Sequence, residues 1–298
     1  MNVREIILAF FFLGIITLMF SSCKVERKIE PRNMPLWEIV NEQGQSSFLL
    51  GTSEYLPKDS ARFLFNEQII AAFDSAKVFI TQIDVPNSDF GNTKMALEIP
   101  GEKIMVEYLS EAQFAKLSQL RKNWKYSESK SVPSADSTRL KLLFYLHDMI
   151  YFNNQENFYF DKFWMERAMP MAKQIGGLET YDSYYESFSV VNDSQVFDFM
   201  YSIESIDKFV DSLRNTSQEL YMKGRFEKLH SLYLSLFPYL QSHFHELVGN
   251  KHKDWAKAIG FSVDSTQTFV TVDAFHMFGN NNLIDKLISE GYEVKRIQ

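Results

Sequence analysis

The chain has a single cysteine, so no disulfide can form within it and its fold must be held by burial alone. It also lacks an excess of basic charge. Lys and Arg number 31 against 38 Asp and Glu, for a formal net charge of -7. The positive residues are scattered along the chain, which excludes the basic patch of a nucleic-acid-binding protein. Gly-x-Ser-x-Gly, a P-loop, a dinucleotide fingerprint and His-Glu-x-x-His are all absent, removing the common signatures of serine hydrolases, NTPases, dehydrogenases and zincins. The long apolar run from Ile6 to Phe20 falls short of the roughly 20 residues that a membrane-spanning helix needs.

That run follows one basic residue, Arg4, and ends in Ser21-Ser22-Cys23. A basic start, an apolar stretch and small residues before a cleavage point describe a secretory signal. The expectation is a signal peptide over 1–22 and a lipid thioether on Cys23, although Phe20 stands where the bacterial lipobox usually has Leu. Each buried methylene of such a lipid adds about 0.8 kcal/mol of membrane affinity, so several acyl chains anchor a protein without a spanning helix. The segment 23–35 is charged, contains two prolines and lacks apolar periodicity, as suits a tether. The implied location is the cell envelope, with the domain facing an extracytoplasmic space.

The remainder, 36–298, has one domain's worth of chain. With 45% hydrophobic residues and 27 Phe in the full sequence, it can bury a large core without disulfides. Leu36 to Val40 and Ser47 to Leu50 read as a hairpin around Asn41 to Gln45, Ala61 to Ala76 as a helix, and Lys77 to Val85 as a strand. From about 110 to 259 the spacing is helical. Ser110 and Gln113 form a capping box for a helix through Lys122, and further helices are expected at Ser137 to Phe152, Asp161 to Gln174, Val191 to Asn215, Arg225 to Phe237 and Tyr239 to Ile259. Thr266 to Phe275 returns to a strand, Leu283 to Ile288 is a helix stopped by Gly291, and Tyr292 to Ile297 alternates as a last strand. The fold class is therefore α/β (α+β): a central sheet of N- and C-terminal strands around a large helical section.

Gly51, Asp84 and His276 fall at the carboxyl ends of expected strands, the rim where ligands gather in open α/β sheets. Gly51 suits a chain that turns or passes close to another segment there. His243-Phe244-His245-Glu246 has the wrong spacing for a helical metal motif and reads as a solvated face. His252 shares a face with His245, but Lys251 and Lys253 would oppose a bound cation. Tyr181, Tyr184, Tyr185 and Phe188 are spaced to form a helical stripe, either core or the wall of a groove for an apolar or peptide ligand.

Leu36-Trp37-Glu38-Ile39, Leu49-Leu50-Gly51-Thr52, the strand Phe79 to Asp84, the turn Ile175-Gly176-Gly177-Leu178-Glu179-Thr180, and His276 followed by Gly291-Tyr292-Glu293-Val294-Lys295-Arg296-Ile297 resemble, in order, the TraB/GumN proteins. The resemblance implies kinship with Tiki-type metalloproteases. In these, two Gly-x-x-His motifs and a strand acid hold a divalent metal that activates water. Here the motifs are altered. The first reads Gly51-Thr52-Ser53-Glu54, the second reads Asp273-Ala274-Phe275-His276, and Gln82 replaces the strand acid. The metal ligands the resemblance leaves are Glu54, Asp84 and His276, with Glu54, Glu179 and His276 as catalytic groups. The identity of the metal stays open. Two functions follow as expectations: a lipid-anchored, metal-dependent, peptidase-like hydrolase with a degenerate site, or a binding or scaffold lipoprotein with a peptide or protein partner.

Overall fold

A computed structural model describes residues 35–53, 56, 66–84, 97–129, 132–152 and 158–297. The signal segment, Cys23, Glu54 and the first residues of the helix expected from Ala61 lie outside these. The strands are β1 (Leu36–Val40), β2 (Ser46–Thr52), β3 (Val78–Ile83), β4 (Gln174–Glu179), β5 (Thr268–Asp273) and β6 (Glu293–Arg296). They form one six-stranded sheet in the order β4-β3-β5-β2-β1-β6. β2, β5, β3 and β4 run parallel, and β1 is antiparallel to both β2 and β6. The hairpin turn is shaped by Asn41, whose Oδ1 accepts from the amides of Gln43 (3.1 Å) and Gln45 (2.8 Å). Its Nδ2 donates to the Val263 carbonyl at 3.0 Å, tying the turn to the domain.

Twelve α-helices lie among the described residues. They are α1 (Glu67–Ser75), α2 (Met105–Tyr108), α3 (Glu111–Lys122), α4 (Leu142–Phe152), α5 (Phe160–Ala168), α6 (Tyr181–Ser187), α7 (Asp193–Ser202), α8 (Ile206–Met222), α9 (Phe226–Leu236), α10 (Pro238–Ser242), α11 (Asn250–Ser265) and α12 (Leu283–Ser289). None is long and apolar enough to cross a membrane. The expected capping box is present, with Ser110 and Gln113 each bonding the other's backbone N–H. The helix expected from Ser137 begins only at Leu142, after Lys141 N has bonded to the Leu97 carbonyl. The stretch expected to be one helix over Val191 to Asn215 is broken in two, Ser205 capping the second half through Lys208 N.

Strand alternation sorts the core into two layers. On one face Leu49, Ile80, Val270 and Val272 pack with Trp255, Ala256, Ile259 and Val263 of α11 and Leu283 and Leu287 of α12. On the other, Phe79 and Phe269 meet Phe73 of α1 and Trp164 of α5. Phe73 lies 4.5 Å from the Trp164 ring and 5.3 Å from that of Phe269, centroid to centroid.

The segment expected to be a turn at Ile175 to Thr180 is instead strand β4, paired in parallel with β3. The Gly-Gly pair hides the strand because it breaks hydrophobic alternation. Gly177 is required by what crosses it: a Cβ there would come 2.2 Å from Asp84 N. Asp84 N donates to the Glu179 carbonyl at 2.7 Å, extending the pairing past the end of β3.

Candidate functional site

The four parallel strands end on one rim, where Thr52, Ile83, Glu179 and Asp273 are their last residues. The pairing of Thr52 with Asp273 brings the two ends of the domain together. Gly51 is not a turn residue. It sits within β2 opposite Val272, and the space around it is what calls for glycine. A Cβ would meet Met277 Sδ at 3.0 Å and Pro35 Cβ at 3.1 Å. Its carbonyl accepts from the buried Tyr221 hydroxyl at 2.5 Å.

After β5 the chain enters a short 3-10 turn, Ala274–Met277, started by Asp273, whose Oδ1 accepts from Phe275 N at 2.7 Å. This turn places His276 against α11. His276 Nδ1 lies 3.0 Å from His252 Nε2, and His252 Nδ1 lies 2.9 Å from the Asn281 carbonyl. Both rings are enclosed, His252 completely. Burial holds His252 at about 4, and burial with the neighbouring His252, Lys251 and His230 charges holds His276 well below the usual histidine range. His230, one helix away on α9, donates through Nδ1 to the Phe275 carbonyl at 3.0 Å.

Glu179 does not cap the following helix, because Thr180 does so through Ser183 N. Its carboxylate instead meets Lys251 of α11, Nζ to Oε2 at 2.7 Å, with side chains 14% and 4% exposed. Burial pushes the Glu179 carboxyl up, and Lys251 and Gln82 only partly offset this. Gln82 also accepts from Asp273 N at 3.3 Å. Lys251 is thus the partner of the acid that ends β4, and His252 is bonded instead to His276.

Beside this rim lies a cleft of about 920 Å³, within the usual size of ligand sites. Its polar lining includes Thr52, Ser53, Gln82, Asp161, Lys251, Asp273 and His276. Tyr181, Tyr184, Tyr185 and Phe188, all half-buried, form part of its wall, so the aromatic stripe serves the groove. Tyr181 and Tyr185 are stacked at 14° with centroids 6.2 Å apart, and Lys251 Nζ lies 5.0 Å from the Tyr184 ring. Asp161 accepts from Thr271 Oγ1 at 3.0 Å, and burial raises its carboxyl to about 6. His147, bonded to the Tyr239 hydroxyl at 2.5 Å, is lowered by burial to about 4.

Of the residues singled out from sequence, the rim gathers Gly51, Asp84, Glu179 and His276, while Glu54 lies outside the described residues. Asp84 and Glu179 are not among the residues lining the cleft. His243 and His245 take no part, His243 bonding Gln195 at 2.9 Å. Sequence reasoning set His252 and Lys251 aside as an unsuitable cation site and missed their place at this rim. Their signal was present, since His252, Trp255, Ala256, Ile259 and Val263 fall on one helical stripe and are all buried.

A divalent ion needs several oxygen or imidazole donors converging on one point. Among the described residues no group of three or more His, Cys, Asp or Glu side chains does so. The Glu179 carboxylate is engaged by an ammonium, and His276 Nδ1 is engaged by His252. The described donor set does not fit a metal. Neither curated proteins nor solved structures gave a match to this chain. The TraB/PrgY/gumN family profile matches residues 35–296, a span that holds every strand of the sheet and every residue of the cleft, and the chain belongs to that family.

Proposed function

We propose that this is an envelope lipoprotein, tethered through Cys23, whose domain binds a peptide or protein segment in the aromatic cleft without metal-dependent hydrolysis. The observation that carries this reading is the Lys251–Glu179 ion pair: a lysine ammonium engages the rim acid that the family resemblance would make a catalytic group. The walls support it. Aromatic rings bury much area at small entropic cost, and Tyr151, Tyr159 and Met169 carry them to an exposed lip, at 48%, 38% and 64% exposure.

The test uses full-length protein in detergent micelles. Calorimetry with Tyr- and Phe-containing tripeptides is expected to show binding that falls about ten-fold in Tyr185→Ala and in Phe144→Ala, a cleft residue set edge-on to Tyr185, while thermal stability is unchanged by Mn, Zn or Co. A metal that raises Tm in the wild type and not in His276→Ala, with cleavage of the peptides, returns the chain to the hydrolases. Mass spectrometry of the membrane fraction tests the anchor independently. An acylated Cys23 as the mature N-terminus, and release of Cys23→Ala from the membrane, are the expected results.

A further inference from the structure

We infer that His252 is a positioning residue: it holds His276 in the tautomer whose Nε2 is bare toward the cleft, so that the ligand is recognised through an N–H or O–H donor delivered to that nitrogen. The argument starts at Asn281. A backbone carbonyl only accepts, so His252 Nδ1 carries the proton of the 2.9 Å bond. His252 is 0% exposed and is bonded to a carbonyl and another imidazole. An imidazolium there would be a buried charge without a counterion, so the ring is neutral and its Nε2 is bare. Two bare nitrogens 3.0 Å apart would repel. His276 Nδ1 therefore carries the shared proton, and in a neutral ring Nε2 is left as an acceptor.

His276 lines the cleft and His252 does not. With Nδ1 committed to His252, Nε2 is the ring nitrogen left for a ligand there. Asp161 and Asp273, which share the lining, are also acceptors when ionised. An enclosed acceptor such as His276 Nε2 discriminates against ligands without a donor, because it would be left unpaired when they bind. The ligand class is an amine or hydroxyl on an aromatic or apolar body. This deepens the binding reading above and rests on it, whereas the tautomer itself does not.

The experiment labels histidine with 15N in the full-length protein and reads, from long-range 1H–15N correlations, which ring nitrogen of His276 bears hydrogen. Wild type, His252→Gln and His252→Phe are compared, with circular dichroism reporting the fold of each. Gln offers an amide oxygen to His276 and an N–H to Asn281, so Nε2 is expected bare in wild type and His252→Gln, and in mixed protonation in His252→Phe. Phenethylamine is expected to shift the Nε2 resonance and to bind about ten-fold more weakly to His252→Phe; phenylacetate, which has no donor when ionised, leaves that resonance in place. Hydrogen on Nε2 in the wild type, or an equal response to both probes, overturns the inference. If the tautomer is as stated but neither these probes nor the tripeptides bind, the cleft reading fails and takes the ligand class with it.

Discussion

Lys251 and Glu179 meet at 2.7 Å with almost no access to water, one from a helix of the C-terminal third and one from the last residue of β4. A buried pair of this kind stabilises little compared with apolar residues of the same shape. Removing one partner is another matter, since it strands the other charge. Lys251→Met is expected to cost about 3–5 kcal/mol in urea denaturation, and adding Glu179→Leu to recover most of that loss. A single variant within 1 kcal/mol of wild type, on the order of an exposed pair, would show that water reaches the carboxylate.

The buried histidines give the domain an acid-sensitive component. His252 is held neutral down to about 4 in the fold, whereas unfolded histidine titrates near 6.5. Between those values the unfolded chain binds more protons, so stability from this ring is present above about 6.5 and lost as pH falls toward 4. His252→Gln removes that titration. The stability gap between wild type and variant is expected to shrink or reverse by up to about 3 kcal/mol across this window, measured by denaturation at stepped pH. A gap that does not change with pH would mean that burial leaves the proton affinity of the ring as it is in the unfolded chain.

Gly176 and Gly177 are neighbours in β4 with opposite surroundings. A Cβ on Gly176 meets nothing within 4 Å, whereas one on Gly177 would sit 2.3 Å from Asp84 Cα. Gly176→Ala is expected within about 0.5 kcal/mol of wild type. Gly177→Ala is expected to cost about 1–3 kcal/mol or more, because backbone has to move. Similar melting temperatures for the two would remove the close approach of Asp84 from the account.

Thr271 supplies the hydroxyl bonded to Asp161, and that bond lowers the Asp161 pKa against the effect of burial. Thr271→Val is therefore expected to raise the Asp161 carboxyl above its value of about 6. It should cost on the order of 1 kcal/mol near neutral pH, where the carboxylate loses a donor. Carbon-detected NMR of the Asp161 carboxyl through a pH titration reads the direction. A downward shift would contradict the geometry.

The strands and the rim were legible from the sequence because their signals are local. Leu36 to Val40, the β-branched run of β5 and the Gly291 stop of α12 each carry period or turn chemistry within a few residues, and each is found where expected. β4 was not, since Gly176 and Gly177 erase alternation and the reason for Gly177 is the close approach of Asp84, nearly a hundred positions away. The relay from Asn281 to His252 to His276 failed to show for a related reason. The flanking charges of Lys251 and Lys253 argue only against a bound cation there, whereas the apolar stripe of α11 turns His252 inward. Which acid Lys251 meets is a property of strand order, and the sequence carries no periodic trace of strand order.

The strand at the middle of the sheet, β5, is made from residues close to the end of the chain. While a ribosome or a translocation channel still holds that segment, β2 and β3 have no inner partner, and their facing edges are open to water or to other chains. Folding must wait for almost the whole polypeptide and then close long loops at once, the kind of topology that folds slowly. A chain cut short before Thr268 would lose the seam of its sheet and with it the turn that carries His276. Such a fragment would be left as two unjoined edges and would not survive as a smaller version of the domain.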